Sequence, residues 1–290
     1  MMINYMEILE EKLTQDELYS LAQILYSNYD TFMQDVNVWN NIKKFTPQNV
    51  YKYIEPFKTN LTGHEIVNNL VMKYYPCEQT LKYNLASKYL NRNNEITAFE
   101  INVGESRLDI GRINGHSYAY EIKTELDSLD KLNKQINDYA KVFEYIYVII
   151  HPKHLAKVKQ LVPDFCGIIT YSFTDFECKF GFRKKAHKSP LIDKELQLLN
   201  LNTKELEWMI RKMKLGSVPN NRINRHILIS ENIKPPKINS YFKKTLKMRY
   251  YKQWAFICKN FSLIKPIDVQ SFFKSKANPH WIYYKNSSRV

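Results

Sequence analysis

Arg107-Leu-Asp-Ile-Gly-Arg-Ile-Asn-Gly-His-Ser-Tyr-Ala-Tyr-Glu-Ile-Lys-Thr124 reads as two β-strands joined by a tight turn. Asn114-Gly115 lies between two alternating runs. Asn-Gly is the strongest short signal for a two-residue type I′ hairpin, because both turn residues must accept positive φ. Before the turn, Leu108 and Ile110 point one way, Arg107 and Asp109 the other. After it, Tyr118, Tyr120 and Ile122 share one face, and Ala119, Glu121 and Lys123 the opposite one. The first face is ordinary core. The second gathers Asp109, Glu121 and Lys123 near the middle of the hairpin. Carboxylates brought within a few Å repel each other unless a cation lies between them. Hard oxygen donors of this kind suit Mg²⁺, which takes one or two carboxylates plus waters and phosphate oxygens. Lys123, two residues beyond Glu121 on the same face, is placed to orient or deprotonate an attacking water. The layout predicts metal-assisted phosphodiester hydrolysis. The ordinary alternative is a solvated sheet face, with Asp109 and Lys123 as a cross-strand ion pair and Glu121 merely exposed.

Asp109 followed by Glu121-Ile-Lys123 resembles the D…ExK core of the PD-(D/E)XK nuclease superfamily, the restriction-endonuclease-like fold. More narrowly, Tyr120-Glu-Ile-Lys-Thr-Glu-Leu-Asp127 with Gln135 and Tyr139 is similar to a bacterial and phage-borne group within it. The resemblance runs from roughly Cys77 to Ile150, and Leu108 stands where the superfamily's name has proline. It implies an α/β/α core with a mixed central sheet, and Mg²⁺ or Mn²⁺ held by Asp109, Glu121 and the backbone carbonyl of Ile122. It also implies that Gln135 and Tyr139 face the scissile phosphate, and that a helix before the first strand contributes an acid. Glu78 matches that position, with Glu65 in reserve. For all three side chains a structural role is the alternative: dipole stabilisation for Glu78, and core packing for Tyr139 with Gln135 at its edge. A protein that kept the fold as a catalytically silent DNA-binding protein or regulator is the competing functional class, and a protein–protein adaptor a third.

The 290 residues carry a formal charge of +14, unevenly distributed. Residues 181–290 hold 24 Lys and Arg against 6 Asp and Glu; residues 1–180 hold 19 against 23. A near-neutral half joined to a strongly basic one predicts a polyanionic partner, nucleic acid, with DNA favoured over RNA although charge does not separate the two. The expected contacts are Arg107, Lys184, Lys185, Lys243, Lys244, Lys247, Arg249 and Lys252. Homodimerisation and protein partners are left open, as are defence, phage development and repair as settings. Cys77, Cys166, Cys178 and Cys258 show no CxxC spacing, which points to neither a zinc site nor a disulfide framework. No signal peptide is visible and the apolar runs are too short to span a bilayer, so a cytoplasmic protein without membrane partners is expected.

Three segments follow from composition: a helical N-terminal extension over 1–61, a nuclease-like core over 62–182 and a basic, mainly helical nucleic-acid-binding module over 183–290. Thr14-Gln-Asp-Glu17 and Thr62-Gly-His-Glu65 read as capping boxes opening helices, with His64 at the surface. Glu78–Leu90 reads as a helix and Ile96–Asn102 as a strand, after which Glu100 and Glu105 stand near the acidic cluster in sequence, with surface positions favoured. A helix capped by Asp127 or Ser128 runs to about Phe143, which stacks Gln135 and Tyr139 on one face. Tyr145–Ile150 is a strand buried on both faces. His151-Pro-Lys-His154 lacks a third metal ligand and reads as loop and cap. Strands at Gly167–Tyr171 and Glu177–Phe180 follow. Beyond Phe182, helices are expected at Leu191–Leu199, Thr203–Leu215, Asn239–Cys258 and Ile267–Phe273. Aromatics interleaved with the lysines of the third suit base stacking, although at helical spacing core packing is the commoner role.

Overall fold

The computed structural model describes residues 4–174 and 177–283. In chain order the helices before the sheet are α1 (Tyr5–Lys12), α2 (Gln15–Ser27), α3 (Asp35–Phe45), α4 (Gln48–Ile54), α5 (Gly63–Tyr74) and α6 (Glu78–Ser87). Then come β1 (Ile96–Val103), β2 (Ser106–Ile113), β3 (Ser117–Lys123), α7 (Leu132–Ala140), β4 (Tyr145–Ile150), α8 (Leu155–Leu161), β5 (Gly167–Thr174) and β6 (Glu177–Lys184). The chain continues through α9 (Lys194–Leu199), α10 (Thr203–Met213), α11 (Arg222–Asn232), α12 (Pro235–Asn260), α13 (Val269–Ser275) and α14 (Pro279–Ile282). This is a mixed α/β protein. Among the described residues no helix is long and apolar enough to cross a membrane.

The chain divides into two compact units. The first comprises Met1–Ser87, Phe173–Glu177 and Phe256–Val290. Its core is helical: Leu18, Leu21 and Leu25 of α2 bury with Trp39 and Ile42 of α3 and with Ile66 and Leu70 of α5. The capping box at Thr14 forms as expected, its hydroxyl accepting from the Glu17 amide and Glu17 returning to the Thr14 amide at 2.8 Å. At Thr62 only half of it forms, the hydroxyl accepting from the Glu65 amide. His64, expected at the surface, is fully buried. Its ring lies 2.7 Å from the Tyr29 hydroxyl and 3.0 Å from the Met33 carbonyl, so polar partners compensate the burial that a cap position alone would not suggest.

The second unit comprises Lys88–Ser172 and Cys178–Ala255 and contains the sheet. Its six strands lie in the order β1-β2-β3-β4-β5-β6. β1–β2 and β2–β3 are antiparallel, β3–β4 and β4–β5 parallel. α7 makes the β3-to-β4 crossover that a parallel pair requires. β4, at the middle, is buried from Ile146 to Ile150 as its continuous β-branched run predicts. The β2–β3 turn differs from the expected type I′. Ile113 pairs with Ser117, which leaves a three-residue loop with the Asn114 amide donating to the His116 carbonyl over 3.0 Å. Of the three, only Gly115 has positive φ, at 109°, as a loop closed by a single left-handed residue demands.

The units do not follow the composition shift near Phe182. That position lies inside β6, so the basic run at Arg183–Lys185 continues a strand rather than starting a module. Residues 183–255 belong with the sheet and 256–290 with the N-terminal helices. α11 was not foreseen, and α12 starts at Pro235 rather than Asn239. Proline lacks only an amide that the first helical turn leaves unpaired anyway, so it opens the helix instead of keeping the segment a loop.

Candidate active site

The ladder between β2 and β3 runs from Ile113↔Ser117 to Ile110↔Tyr120. One step further along that register, Asp109 stands opposite Glu121. There the backbone pairing gives way to a side chain: Asp109 Oδ2 accepts the Ile122 amide at 2.7 Å. Glu121 is 2% exposed and its carboxylate is held from three directions. Lys123 Nζ donates to Oε1 over 2.9 Å, Gln135 Nε2 to the same oxygen over 2.5 Å, and the Tyr139 hydroxyl to Oε2 over 2.8 Å. The same hydroxyl lies 2.9 Å from the Arg107 carbonyl, a second acceptor for its one proton. Burial, and then the neighbouring Glu121 charge, push the Tyr139 phenol far above its ordinary range, so it stays protonated and keeps its O–H to donate.

The sequence-derived set Asp109, Glu121, Lys123, Gln135 and Tyr139 thus meets at one place. The expected four-residue spacing on α7 turns Gln135 and Tyr139 together toward Glu121. Lys123 is paired with Glu121 rather than with Asp109 across the strands. Gln135 Oε1 is buried without a hydrogen-bond partner, an acceptor left over beside the carboxylates. Glu78 opens α6 in the first unit, where it pairs with the fully buried Lys82. Glu65 faces Lys265 at 3.9 Å in that same unit.

Sequence order favoured a surface position for Glu100, and the structure places it otherwise. The β1–β2 pairs Phe99↔Ile110 and Ile101↔Leu108 set Glu100 directly opposite Asp109, and their carboxylate oxygens lie within 4.8 Å. Glu100 breaks its strand with φ of 56°, the left-handed region that a side chain with a Cβ enters at a cost of about 1–2 kcal/mol. Arg107 Nε bonds its Oε2 at 2.6 Å, so Arg107, expected to touch nucleic acid, balances this carboxylate while its side chain stays 68% exposed. Only the β1–β2 register could have announced Glu100. Glu105 does remain at the surface, against Lys134 at 3.0 Å. A cleft of about 840 Å³ opens beside Glu100, bordered by Asn102, Glu105, Lys134, Lys141 and Tyr250.

The other expected nucleic-acid contacts divide. Lys243 reaches the Gly115 carbonyl at 2.6 Å and the buried Glu144 at 2.9 Å. Lys247 caps the carbonyl and side chain of Asn94, and Arg249 pairs with Glu205 and the Asn200 carbonyl. These three cations are committed within the fold. Lys184 reaches the Pro163 carbonyl at 3.3 Å, whereas Lys185, Lys244 and Lys252 are exposed. His151 caps the turn after β4 and His154 contacts the Thr124 carbonyl, the loop roles expected of them.

A mixed sheet whose central hairpin presents carboxylates and a lysine beneath an amphipathic helix defines an α/β protein with a polar site on one sheet face. The chain belongs to the bacteriophage P4 protein cII family, whose model matches residues 74–271 and so takes in the whole sheet, α7 and all of α12. It is similar to protein cII of Enterobacteria phage P4, 24% identical over 147 residues, which cover 50% of this chain and 55% of the relative. The chain spans about half the length of that relative. No solved structure matches. Membership in this family specifies no chemistry; that rests on the residues of the site.

Proposed function

We propose that the protein is a metal-dependent nuclease with a restriction-endonuclease-like core, acting on DNA. The observation that carries this reading is the convergence of Asp109, Glu121 and Lys123 on one buried edge of the β2–β3 pair, with the Ile122 amide fixing Asp109 over 2.7 Å. The donor set fits a hard divalent cation: carboxylate oxygens of Asp109 and Glu100 within 4.8 Å, with Glu121 next along the register. Asp109, Glu121 and the Ile122 carbonyl, with Glu100 at the margin, would hold Mg²⁺ or Mn²⁺. Such an ion supplies Lewis-acid stabilisation of phosphate charge and acidifies a bound water. The protein's own residues supply the rest. Tyr139 and Gln135 fix the orientation of Glu121, and Lys123 holds a proton donor beside it, where an ammonium can orient a water for in-line attack. The cleft beside Glu100 gives a phosphodiester strand room to approach.

The competing reading, a nucleic-acid-binding protein that keeps the fold without cleaving, draws on the saturation of Glu121 by three internal donors. Incubation of the protein with supercoiled, linear and single-stranded DNA and with RNA, in Mg²⁺, Mn²⁺ or EDTA, separates the two. Cleavage of DNA with either metal and none in EDTA is expected. Binding without cleavage under every condition would favour the silent protein.

A further inference from the structure

We infer that the outward face of α10 and α12 is a docking surface for single-stranded nucleic acid. α12 sorts its side chains sharply. Phe242, Leu246 and Trp254 turn inward and are buried. At spacings of three and four residues on another face stand Tyr241, Lys244, Met248, Tyr251 and Lys252, with Met248 52% and Tyr251 63% exposed. Trp208 of α10 meets Tyr241 with ring centroids 5.8 Å apart. The Nζ atoms of Lys237 and Lys244 lie 5.5 and 4.9 Å from the centre of the Tyr241 ring. Lys204 and Lys212, four residues either side of Trp208, extend the same face of α10.

The charges on this face are uncompensated. α12 contains no acid, and the two acids of α10 are occupied: Glu205 by Arg249, Glu207 by Arg211 and Arg225. Lys204, Lys212, Lys237, Lys244 and Lys252 have no ion-pair partner among the described residues, and all five are exposed. The neighbouring Lys243, Lys247 and Arg249 point into the fold, which makes the outward lysines a selected subset rather than a uniformly basic helix. Unpaired ammonium groups set among the exposed Tyr251 ring and the half-buried rings of Trp208 and Tyr241 match a ligand that alternates phosphates with flat apolar groups. A single strand presents both, whereas a duplex hides its base faces and would leave the rings unused. An anionic lipid surface would engage the lysines and is the alternative that the experiment distinguishes.

This surface does not depend on the nuclease reading, so its test is run in EDTA, where metal-dependent cleavage is absent. Full-length protein is titrated onto a labelled single strand, a duplex of the same sequence and phosphatidylserine vesicles over a range of salt. Combined Lys204→Gln, Lys237→Gln and Lys244→Gln should weaken single-strand binding at least about 10-fold. The log–log salt slope should fall by about two, since each phosphate contact on a single strand contributes roughly 0.7. Tyr251→Ala should lower single-strand affinity about 5-fold or more while leaving the duplex unchanged. A control that removes equal charge at the exposed Lys43, Lys58 and Lys159 should change neither slope. The inference is overturned if the triple variant loses no more affinity than this control. It is equally overturned if vesicle binding is lost while single-strand binding persists. Every substituted side chain is exposed, so thermal midpoints should stay at the wild-type value.

Discussion

Asp109 Oδ2 accepts the Ile122 amide over 2.7 Å, so a side chain completes the sheet where the β2–β3 backbone ladder ends. One carboxylate oxygen is thereby fixed by a backbone donor flanked by Glu121 and Lys123. The carboxylate to which the proposed function assigns metal binding is also one that the fold uses for hydrogen bonding.

Removing it should therefore have a structural cost. Asp109→Ala leaves a buried amide without its acceptor, worth about 1–3 kcal/mol, partly offset by relief of repulsion against Glu100. Asp109→Asn retains an acceptor and should cost less than about 1 kcal/mol. Urea unfolding of both variants checks this; equal stabilities would mean that the Ile122 bond contributes nothing.

Glu100 presents the opposite balance. Glu100→Gly releases a left-handed backbone at a residue with a Cβ, a gain of about 1–2 kcal/mol set against about 0.5–1 kcal/mol of extra unfolded-state freedom. It also removes a carboxylate beside Asp109. The variant should melt at or above the wild-type temperature while binding Mn²⁺ more weakly. A lower melting temperature with unchanged metal affinity would show that Glu100 serves only the fold.

Adjacent lysines on α12 should behave differently. Glu144 is 2% exposed. Burial pushes its carboxyl upward, but Lys243 with the Ser117 amide and Asn239 outweighs burial and holds it below the usual carboxylate range. Lys243→Ala strips one partner from a buried carboxylate and should cost about 2 kcal/mol or more, whereas Lys244→Ala should stay within about 0.5 kcal/mol. Chemical denaturation of the two variants side by side decides it. A depressed carboxyl gives stability above its unfolded titration range that is lost on acidification, so the two variants should converge as the pH falls.

How far the sequence carried can be read from these residues. Alternation placed Asp109, Glu121 and Lys123 on one face, and helical spacing brought Gln135 and Tyr139 over them, because both periodicities are local. Glu100 depends on strand register, which no local pattern encodes, and Lys243 and Lys244 look alike until Glu144 is located. His64 looked exposed because a helix cap is normally solvated, and its partners Tyr29 and Met33 are distant in sequence. The abrupt change in charge near Phe182 suggested a boundary, but charge reports on partners and solvent while packing sets the limits of a compact unit.

The first unit offers a pH test. Asp268 is fully buried and accepts from Tyr29 at 3.0 Å, from Thr31 at 2.7 Å and from Tyr283. Burial outweighs these bonds and raises its carboxyl to about 6. A raised carboxyl contributes stability when protonated, fully below the unfolded value and lost as the pH climbs through about 6. Asp268→Asn mimics the neutral form. The stability of the variant relative to wild type should therefore rise between pH 4 and pH 7, by up to about 3 kcal/mol. A difference independent of pH would contradict the raised value.

Lys123→Arg separates positioning from charge at the site. A planar guanidinium cannot occupy the point of a compact ammonium 2.9 Å from Glu121. The cleavage rate should fall by at least about 100-fold with nucleic-acid affinity nearly unchanged. Full activity in the Arg variant would reduce the role of Lys123 to bulk charge.

The most direct test of the central claim is the nicking of supercoiled DNA by wild type, Asp109→Asn and Glu121→Gln in Mg²⁺ or Mn²⁺, each variant first shown to be folded. Metal-dependent nicking by the wild type, abolished in both variants, is the predicted result. Nicking that survives both substitutions, or that persists in EDTA, would contradict a metal-dependent nuclease site at Asp109 and Glu121.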